Sequence, residues 1–219
     1  MGVKGIWKAN ATALVLLIIV NTVLMLAGMK LWIAVGIPAL LLAMFLSFRQ
    51  GMGIGHDACG ISSTVEGARQ AGEKVYRQLD AGYLSQVWSA GTGLRGMLLS
   101  ALIPYAAACA YIVVTLLGQD APSMAVPVVL SRTAAWVLSL PYWPILMIWH
   151  EDFIQLTPDV AAVLLITPFV LPACTFAGYM QGPKLWAQSE AAMLAGRRRA
   201  KARARVGRKM APKQQKPEI

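Results

Sequence analysis

Two short stretches of the sequence bring together residue types that bind metals or move protons. The first is GHDACG, in which His56, Asp57 and Cys59 all belong to types that ligate metal ions. A structural zinc site needs four protein ligands and a catalytic one needs about three, but the only other histidine of the chain is His150. We therefore predict no metal and no cofactor, and name His56, Asp57 and Cys59 as the residues that would ligate a metal if one bound.

The second stretch is WHEDF, which places His150, Glu151 and Asp152 in a row directly after an aromatic segment. Carboxylates at a bilayer edge can gather a cation or relay protons, but a solvated loop whose acids follow the charge-topology rule is the favoured explanation. Asn21 is a further polar feature, because it lies inside a long apolar run where a buried amide needs a partner on another helix. These four residues are the candidates for contact with a solute or ion. They do not form a convergent catalytic set, so no catalytic residue is predicted.

The elements that position these residues are predicted to be membrane helices. Hydrophobic residues make up 57% of the chain and charged residues 14%, whereas a soluble domain has about 25% charged residues. Several apolar runs approach about 20 residues, the length of a helix that crosses the hydrocarbon core of a bilayer. The predicted fold is therefore an all-α, polytopic integral membrane bundle. Its membrane domain comprises residues 1–183, with spans at about 10–28, 31–48, 94–117 and 160–180.

A polar segment, residues 49–93, separates the second and third predicted spans. Its opening run, RQGMGIGHDACG, contains four glycines, which are expected to end the second helix because glycine is conformationally permissive. Ser63 and Glu66 then match a capping box, the reciprocal pairing of side chains and backbone that starts a helix. Small apolar residues recur after it at helical spacing, which predicts an amphipathic helix on the cytoplasmic side.

Residues 133–149 are predicted to be a re-entrant or interfacial segment, with a fifth span as the alternative. Pro141 and Pro144 each remove a backbone donor, and three tryptophans and a tyrosine favour the membrane interface. Basic residues near spans favour the cytoplasmic side. Four spans with both termini inside leave 18 Lys and Arg inside and only Lys30 and Arg132 outside, whereas five spans with an external amino terminus leave 13 inside. The charge distribution therefore favours four spans.

The carboxyl-terminal tail, residues 184–219, carries most of the positive charge. It holds eleven Lys and Arg against two acids, in a chain whose net charge is +10. Basic clusters beside a span bind anionic lipid headgroups, and the phosphates of RNA attract the same side chains. We therefore predict contact with anionic lipid, with RNA or the ribosome as the alternative partner, and we expect the tail to be partly disordered. The predicted contact residues are Arg197, Arg198, Arg199, Lys201, Arg203, Arg205, Arg208 and Lys209.

The predicted function is that of a non-enzymatic accessory or assembly subunit of a larger membrane complex. Small residues such as the AAACA run of the third span let helices of different chains approach closely, so the expected partner is another membrane protein or a second copy. The alternative is a transporter or channel for a small solute that uses the proline-broken segments and the acids at 150–152. The expected location is the plasma membrane, with a cytoplasmic carboxyl terminus.

Overall fold

The computed structural model describes residues 2–77, 81–118, 125–149 and 156–210, and these ranges contain helices and no strand. Four of the helices found there, α1, α2, α5 and α8, are long and apolar enough to cross a membrane. The predicted all-α class with several apolar helices is thus confirmed. The helices are α1 (Gly2–Ala27), α2 (Met29–Ala71), α3 (Glu73–Arg77), α4 (Ala81–Leu84), α5 (Ala90–Gly118), α6 (Ala125–Ser139), α7 (Trp143–Trp149) and α8 (Pro158–Met210).

The first two helices form an antiparallel hairpin that turns at Gly28. This residue has a φ of 130°, which glycine adopts readily because it lacks a Cβ. The backbone N–H of Gly28 donates to the carbonyl of Leu24 at 3.2 Å, and the N–H of Trp32 donates to the carbonyl of Gly28 at 2.9 Å. The turn therefore links the two helices with a single residue between them.

The second helix, α2, is much longer than the predicted second span. The expectation that the glycine-rich run ends this helix is wrong, because α2 continues without interruption to Ala71. The next positive φ after the hairpin turn occurs only at Gly72. The predicted capping box is wrong for the same reason: Ser63 lies inside α2, where its hydroxyl donates to the carbonyl of Gly60 at 2.8 Å. Packing against α8, described below, outweighs the low helix propensity of glycine.

The third long helix, α5, begins directly after Ser89, whose side chain caps it. The N–H of Thr92 donates to the hydroxyl oxygen of Ser89 at 3.1 Å, which satisfies one of the free donors of the first helical turn. Further along, Gly96 of α5 faces Ile6 of α1 so closely that a Cβ would lie 2.9 Å from the Ile6 side chain. The absence of a side chain at this glycine thus lets α5 lie alongside α1.

The segment predicted to be re-entrant consists of α6 and α7, which are joined by a 3₁₀ turn at Leu140–Tyr142. The turn is buried, and Tyr142 packs with Leu17 of α1 and Leu40 of α2. Both leucines are eleven or twelve residues from Gly28, which corresponds to roughly 17 Å along a helix. The turn therefore reaches about as far into the bundle as the middle of the α1–α2 hairpin.

The last helix, α8, starts at Pro158 and continues for 53 residues to Met210. Thr157 caps it, since its hydroxyl oxygen accepts from the N–H of Val160 at 3.4 Å, and proline is favoured at a first helical position. The helix passes through the boundary between the predicted last span and the predicted tail without a break. The expectation of disorder concerns the chain end, and residues 211–219 lie outside the described ranges.

The four long helices alternate in direction. Contacts along α1 and α5 advance together, from Gly2 with Thr92 to Asn10 with Ser100. Contacts along α2 and α8 also advance together, from Gly51 with Thr175 to Gly55 with Tyr179. Thus α1 and α5 run one way while α2 and α8 run the other. The beginning of α1 and the end of α8 lie at the same end of the bundle.

Candidate functional site

The predicted metal-ligand stretch lies on α2, where it faces α8. The ring of His56 lies with its Nε2 3.2 Å from the hydroxyl of Ser189 and its Nδ1 3.4 Å from the carboxylate of Asp57. It also meets the ring of Trp186 edge-on, with 5.1 Å between ring centres. Cys59 is buried and Asp57 is exposed. Among the described residues, no three His, Cys, Asp or Glu side chains come together to hold a metal ion.

Glycines of α2 in and just before this stretch form a very close contact with α8. A Cβ built on Gly51 would overlap the carbonyl oxygen of Thr175, and one built on Gly178 would overlap the carbonyl oxygen of Phe48. Gly51 therefore faces the carbonyl three residues before Gly178, and Gly178 faces the carbonyl three residues before Gly51. The missing side chains let the two backbones touch, so that Cα–H groups point at carbonyl oxygens, a weak but recurrent interaction at helix interfaces.

The contact repeats one turn further along both helices. A Cβ on Gly55 would overlap the carbonyl oxygen of Tyr179, and one on Gly182 would overlap the backbone of Gly55. We call these four residues, Gly51, Gly55, Gly178 and Gly182, the glycine seam. Each helix contributes two glycines four residues apart, the spacing that brings membrane helices close together. This signal was present in the sequence, but the glycines of α2 were interpreted there as helix-ending residues.

Asn10 links three of the long helices through side-chain hydrogen bonds. Its amide nitrogen donates to the hydroxyl of Ser100 on α5 at 3.2 Å, and its amide oxygen accepts from the hydroxyl of Thr175 on α8 at 2.6 Å. Asn10 and Thr175 are both buried. Such bonds between membrane helices each contribute on average about 0.6 kcal/mol. The sequence prediction missed Asn10, although a polar residue at the beginning of an apolar run was visible.

Asn21 is placed against α2, at the opposite end of α1. The indole N–H of Trp32 donates to its amide oxygen at 2.8 Å, and its amide nitrogen donates to the carbonyl of Leu17 at 2.9 Å. The exposed fraction of Asn21 is 0%. Its predicted contact with a solute would therefore require these bonds and the packing around them to open.

An aromatic cluster surrounds the Asn21–Trp32 pair. The rings of Trp32 and Trp143 lie 6.2 Å apart, and those of Trp143 and Trp136 lie 4.8 Å apart in an edge-on arrangement. The guanidinium of Arg132 lies 4.3 Å from the ring centre of Trp136, a distance at which the ring face attracts a cation. Aromatic and basic residues of this kind anchor helix ends at a membrane interface. The cluster fixes α6 and α7 to the α1–α2 hairpin.

Tyr179 fills the opposite end of the bundle, beside the glycine seam. It is fully buried, its ring stacks on that of Trp88 with 6.1 Å between centres, and its hydroxyl oxygen accepts from the N–H of Ser89 at 3.3 Å. A Cβ on Gly93 would lie 2.6 Å from the same ring. Tyr179 thus holds the beginning of α5 against α8.

A cleft of about 180 Å³ opens between α1, α5, α6 and α8. Its walls are mainly apolar, and three of its lining residues are prolines that interrupt the hydrogen bonding of α5 and α8: Pro104, Pro168 and Pro172. Asn10 and Ser100 also line it, but they bond to each other. A second cleft, of about 640 Å³, lies between α2, α7 and α8 and shares Tyr142 with the first.

The other predicted site residues fall into two groups. His150, Glu151 and Asp152 lie outside the described residues, so the acidic cluster remains a prediction. The basic residues of the tail lie on α8, and Arg197, Arg198, Arg199 and Lys201 are exposed there. The positions of Arg203, Arg205, Arg208 and Lys209 belong to the same continuous helix.

Four long apolar helices, joined by close backbone contacts and by hydrogen bonds of buried asparagine side chains, indicate a helical membrane protein. No protein-family model, no curated protein and no solved structure matches this chain. Any assignment of function therefore depends on the features of the chain itself.

Proposed function

We propose that this protein is a non-enzymatic membrane subunit that assembles with a transmembrane helix of another subunit or of a second copy. The observation that carries the proposal is the outward face of α5. Ala106 and Ala110 are exposed there, four residues apart, the spacing that lets a second helix approach closely. Large exposed apolar residues continue the same face on either side of them, with Ile103 62%, Val113 51% and Leu117 77% exposed.

The opposite face of α5 already packs inside the chain. Ala108 and Tyr111 are buried in a core cluster with Ala135 of α6 and Leu164 of α8. The alanines of α5 thus fall on two faces, and the inward face is buried against neighbouring helices. An apolar face gains nothing from the hydrophobic effect in lipid, so small residues there serve close packing better than bulky ones do. The outward alanine pair therefore supports a docking surface for a further helix.

The double substitution Ala106→Leu, Ala110→Leu is expected to abolish co-purification of the partner in mild detergent, because two bulky side chains keep a second helix at a distance. The matched control is Ala34→Leu, at an exposed alanine of α2, which should leave the complex intact. A photo-crosslinking residue at position 110 in native membranes should yield an adduct, whose mass distinguishes a second copy from a different subunit. A monomeric particle without any adduct would contradict the proposal.

The proposed membrane layout has four spans, α1, α2, α5 and α8, with both chain ends in the cytoplasm of the cell and the protein in the plasma membrane. The alternating directions of these helices and the count of basic residues support it. In this layout α6 and α7 enter from the outer side and return, with their turn packed on α1 and α2. Irregular backbone at membrane depth is tolerated when it is buried in protein, as the 3₁₀ turn is.

A second candidate function is passage of a small solute, which the proline-lined cleft favours. Proline leaves the carbonyl four residues earlier without its helical donor, and interrupted helices with such free carbonyls form the binding sites of many transporters. The predicted transporter uses the acids at 150–152 together with the proline-broken segments. The double substitution Glu151→Gln, Asp152→Asn should therefore abolish flux of a small solute in proteoliposomes. Unchanged flux would exclude a role for these acids.

A further inference from the structure

The end of α8 is an exposed helix. Ser189 of α8 pairs with His56 of α2. From Glu190 to Lys201 every residue is exposed. These 12 exposed residues correspond to roughly 18 Å of helix, and α8 continues past them to Met210. We call the part of α8 from Arg197 to Lys209 the basic helix.

The charges of the basic helix are not neutralised by residues of its own sequence. It contains eight Lys and Arg and no acid, and the nearest acidic residues in sequence are Glu190 and Glu218. Like charges four residues apart on a helix repel each other. The pairs with this spacing are Arg197 and Lys201, Arg199 and Arg203, Lys201 and Arg205, and Arg205 and Lys209. A bound polyanion would relieve this repulsion.

In the membrane layout proposed above, on which this inference rests, an α8 that runs along the membrane normal carries the basic helix away from the membrane surface. The apolar part of α8 ends at Lys184, the first charged residue after Asp159. Along a continuous helix, Arg197 lies about 20 Å and Lys209 about 38 Å beyond Lys184. The headgroup layer accounts for only about 5–8 Å of this distance, and attraction to lipid charges falls off over about 8 Å at physiological salt. Most of the basic helix is thus beyond the reach of anionic headgroups.

We propose that the basic helix binds the phosphate backbone of RNA. Its eight charges fall within about 18 Å of helix, one per roughly 2.3 Å. This spacing is comparable to that of the phosphates of a nucleic-acid duplex, which for double-stranded DNA is about one per 1.7 Å of helix axis. Between the charges stand mainly alanines, with Val206 as the only larger apolar residue. Protein interfaces depend on buried aromatic or bulky apolar anchors, and this segment offers almost none. The composition therefore favours an electrostatic contact with phosphates, without selection of base sequence.

The test uses the full chain in nanodiscs of zwitterionic lipid, which leave both membrane faces accessible. Binding of a fluorescent RNA duplex of about 20 base pairs is followed by anisotropy, and its affinity should fall by about 10³-fold between roughly 50 and 200 mM salt. The triple variant Arg197→Ala, Arg198→Ala, Arg199→Ala should lower the slope of the salt dependence by about 3. The matched control removes three other exposed arginines, Arg49, Arg69 and Arg95, and should retain the slope of the unmodified protein.

Three outcomes would overturn the proposal. One is the absence of RNA binding at about 100 mM salt, or an equal loss in the triple variant and its control. Another is loss of RNA binding in nanodiscs that contain anionic lipid, which would mean that the basic helix bends onto the membrane. The third is displacement of RNA by polyglutamate as effective as displacement by unlabelled RNA at equal charge, which would favour an acidic protein partner. The proposal is supported if the unmodified protein binds RNA at about 100 mM salt, if the triple variant loses more binding than its control, if binding persists on nanodiscs with anionic lipid, and if unlabelled RNA displaces labelled RNA better than polyglutamate does.

Discussion

Gly51→Ala is expected to destabilise the protein by about 3 kcal/mol, the upper part of the range for overpacking a closely packed site. The added methyl group would lie only 2.0 Å from the Thr175 carbonyl oxygen. A carbonyl in the middle of a helix cannot move away as a flexible side chain can, so α2 and α8 must separate. Separation at Gly51 also loosens the contacts of Gly55, Gly178 and Gly182, because all four belong to one seam.

Gly53 provides the matched control, since it lies on the same helix two residues away. No atom lies within 4 Å of the position that its Cβ would occupy. Gly53→Ala is therefore expected to leave stability unchanged or to raise it by up to about 1 kcal/mol, through the lower backbone entropy of the unfolded chain. Thermal unfolding in detergent, followed by helical circular dichroism, compares the two variants. Equal midpoints would show that the glycine seam does not hold α2 and α8 together.

The second large effect is an all-or-none contrast in the labelling of single cysteines. The background is a chain whose Cys59, Cys109 and Cys174 have been replaced by alanine. A membrane-impermeant maleimide added to intact cells should modify the cysteine of the Gln155→Cys variant. The cysteine of the Gln214→Cys variant should remain unmodified until the cells are lysed. The physical reason is that position 155 precedes α8 and position 214 follows it. In the proposed layout α8 crosses the membrane between the two positions.

A third position decides whether α6 and α7 cross the membrane or return. Gln119→Cys, which follows α5, should be labelled on the same side as Gln155→Cys if α6 and α7 return to the outer face. Labelling of these two positions on opposite sides would establish a fifth span. Labelling at position 214 in intact cells would contradict the cytoplasmic tail.

The sequence predicted the apolar parts of the long helices well, because helix formation in lipid depends on composition within one segment. Apolar side chains and internally satisfied backbone groups are sufficient to define a span, and neither requires knowledge of a neighbour. The predicted spans at 31–48 and 160–180 therefore lie within α2 and α8. The ends of α2 and α8 were not predictable in this way. Both helices continue beyond their apolar parts, because packing contacts or residues of high helix propensity stabilise the further turns.

The role of the glycines could not be deduced from one segment alone. A glycine in an apolar helix is a breaking point when exposed and a contact point when another backbone fills its space, and only the opposite helix decides between them. The decisive residues for Gly51 and Gly55 are Gly178 and Gly182, more than 120 residues later. Comparison of the two pairs, each with a spacing of four, would have been the signal. The partners of Asn10 were hidden for the same reason, since Ser100 and Thr175 are remote in sequence.

The two buried asparagines of α1 differ in when their partners emerge from the ribosome. Asn21 bonds to Trp32, eleven residues later, so the first hairpin can satisfy it as soon as both helices have entered the membrane. Asn10 bonds to Thr175, 165 residues later, which at about 5–20 residues per second means a delay of roughly 8–33 s. During that time the amide oxygen of Asn10 must remain near water or accept a hydrogen bond from a temporary donor. The first hairpin is thus self-sufficient at insertion, and the closing of the bundle around Asn10 is a late step of biogenesis.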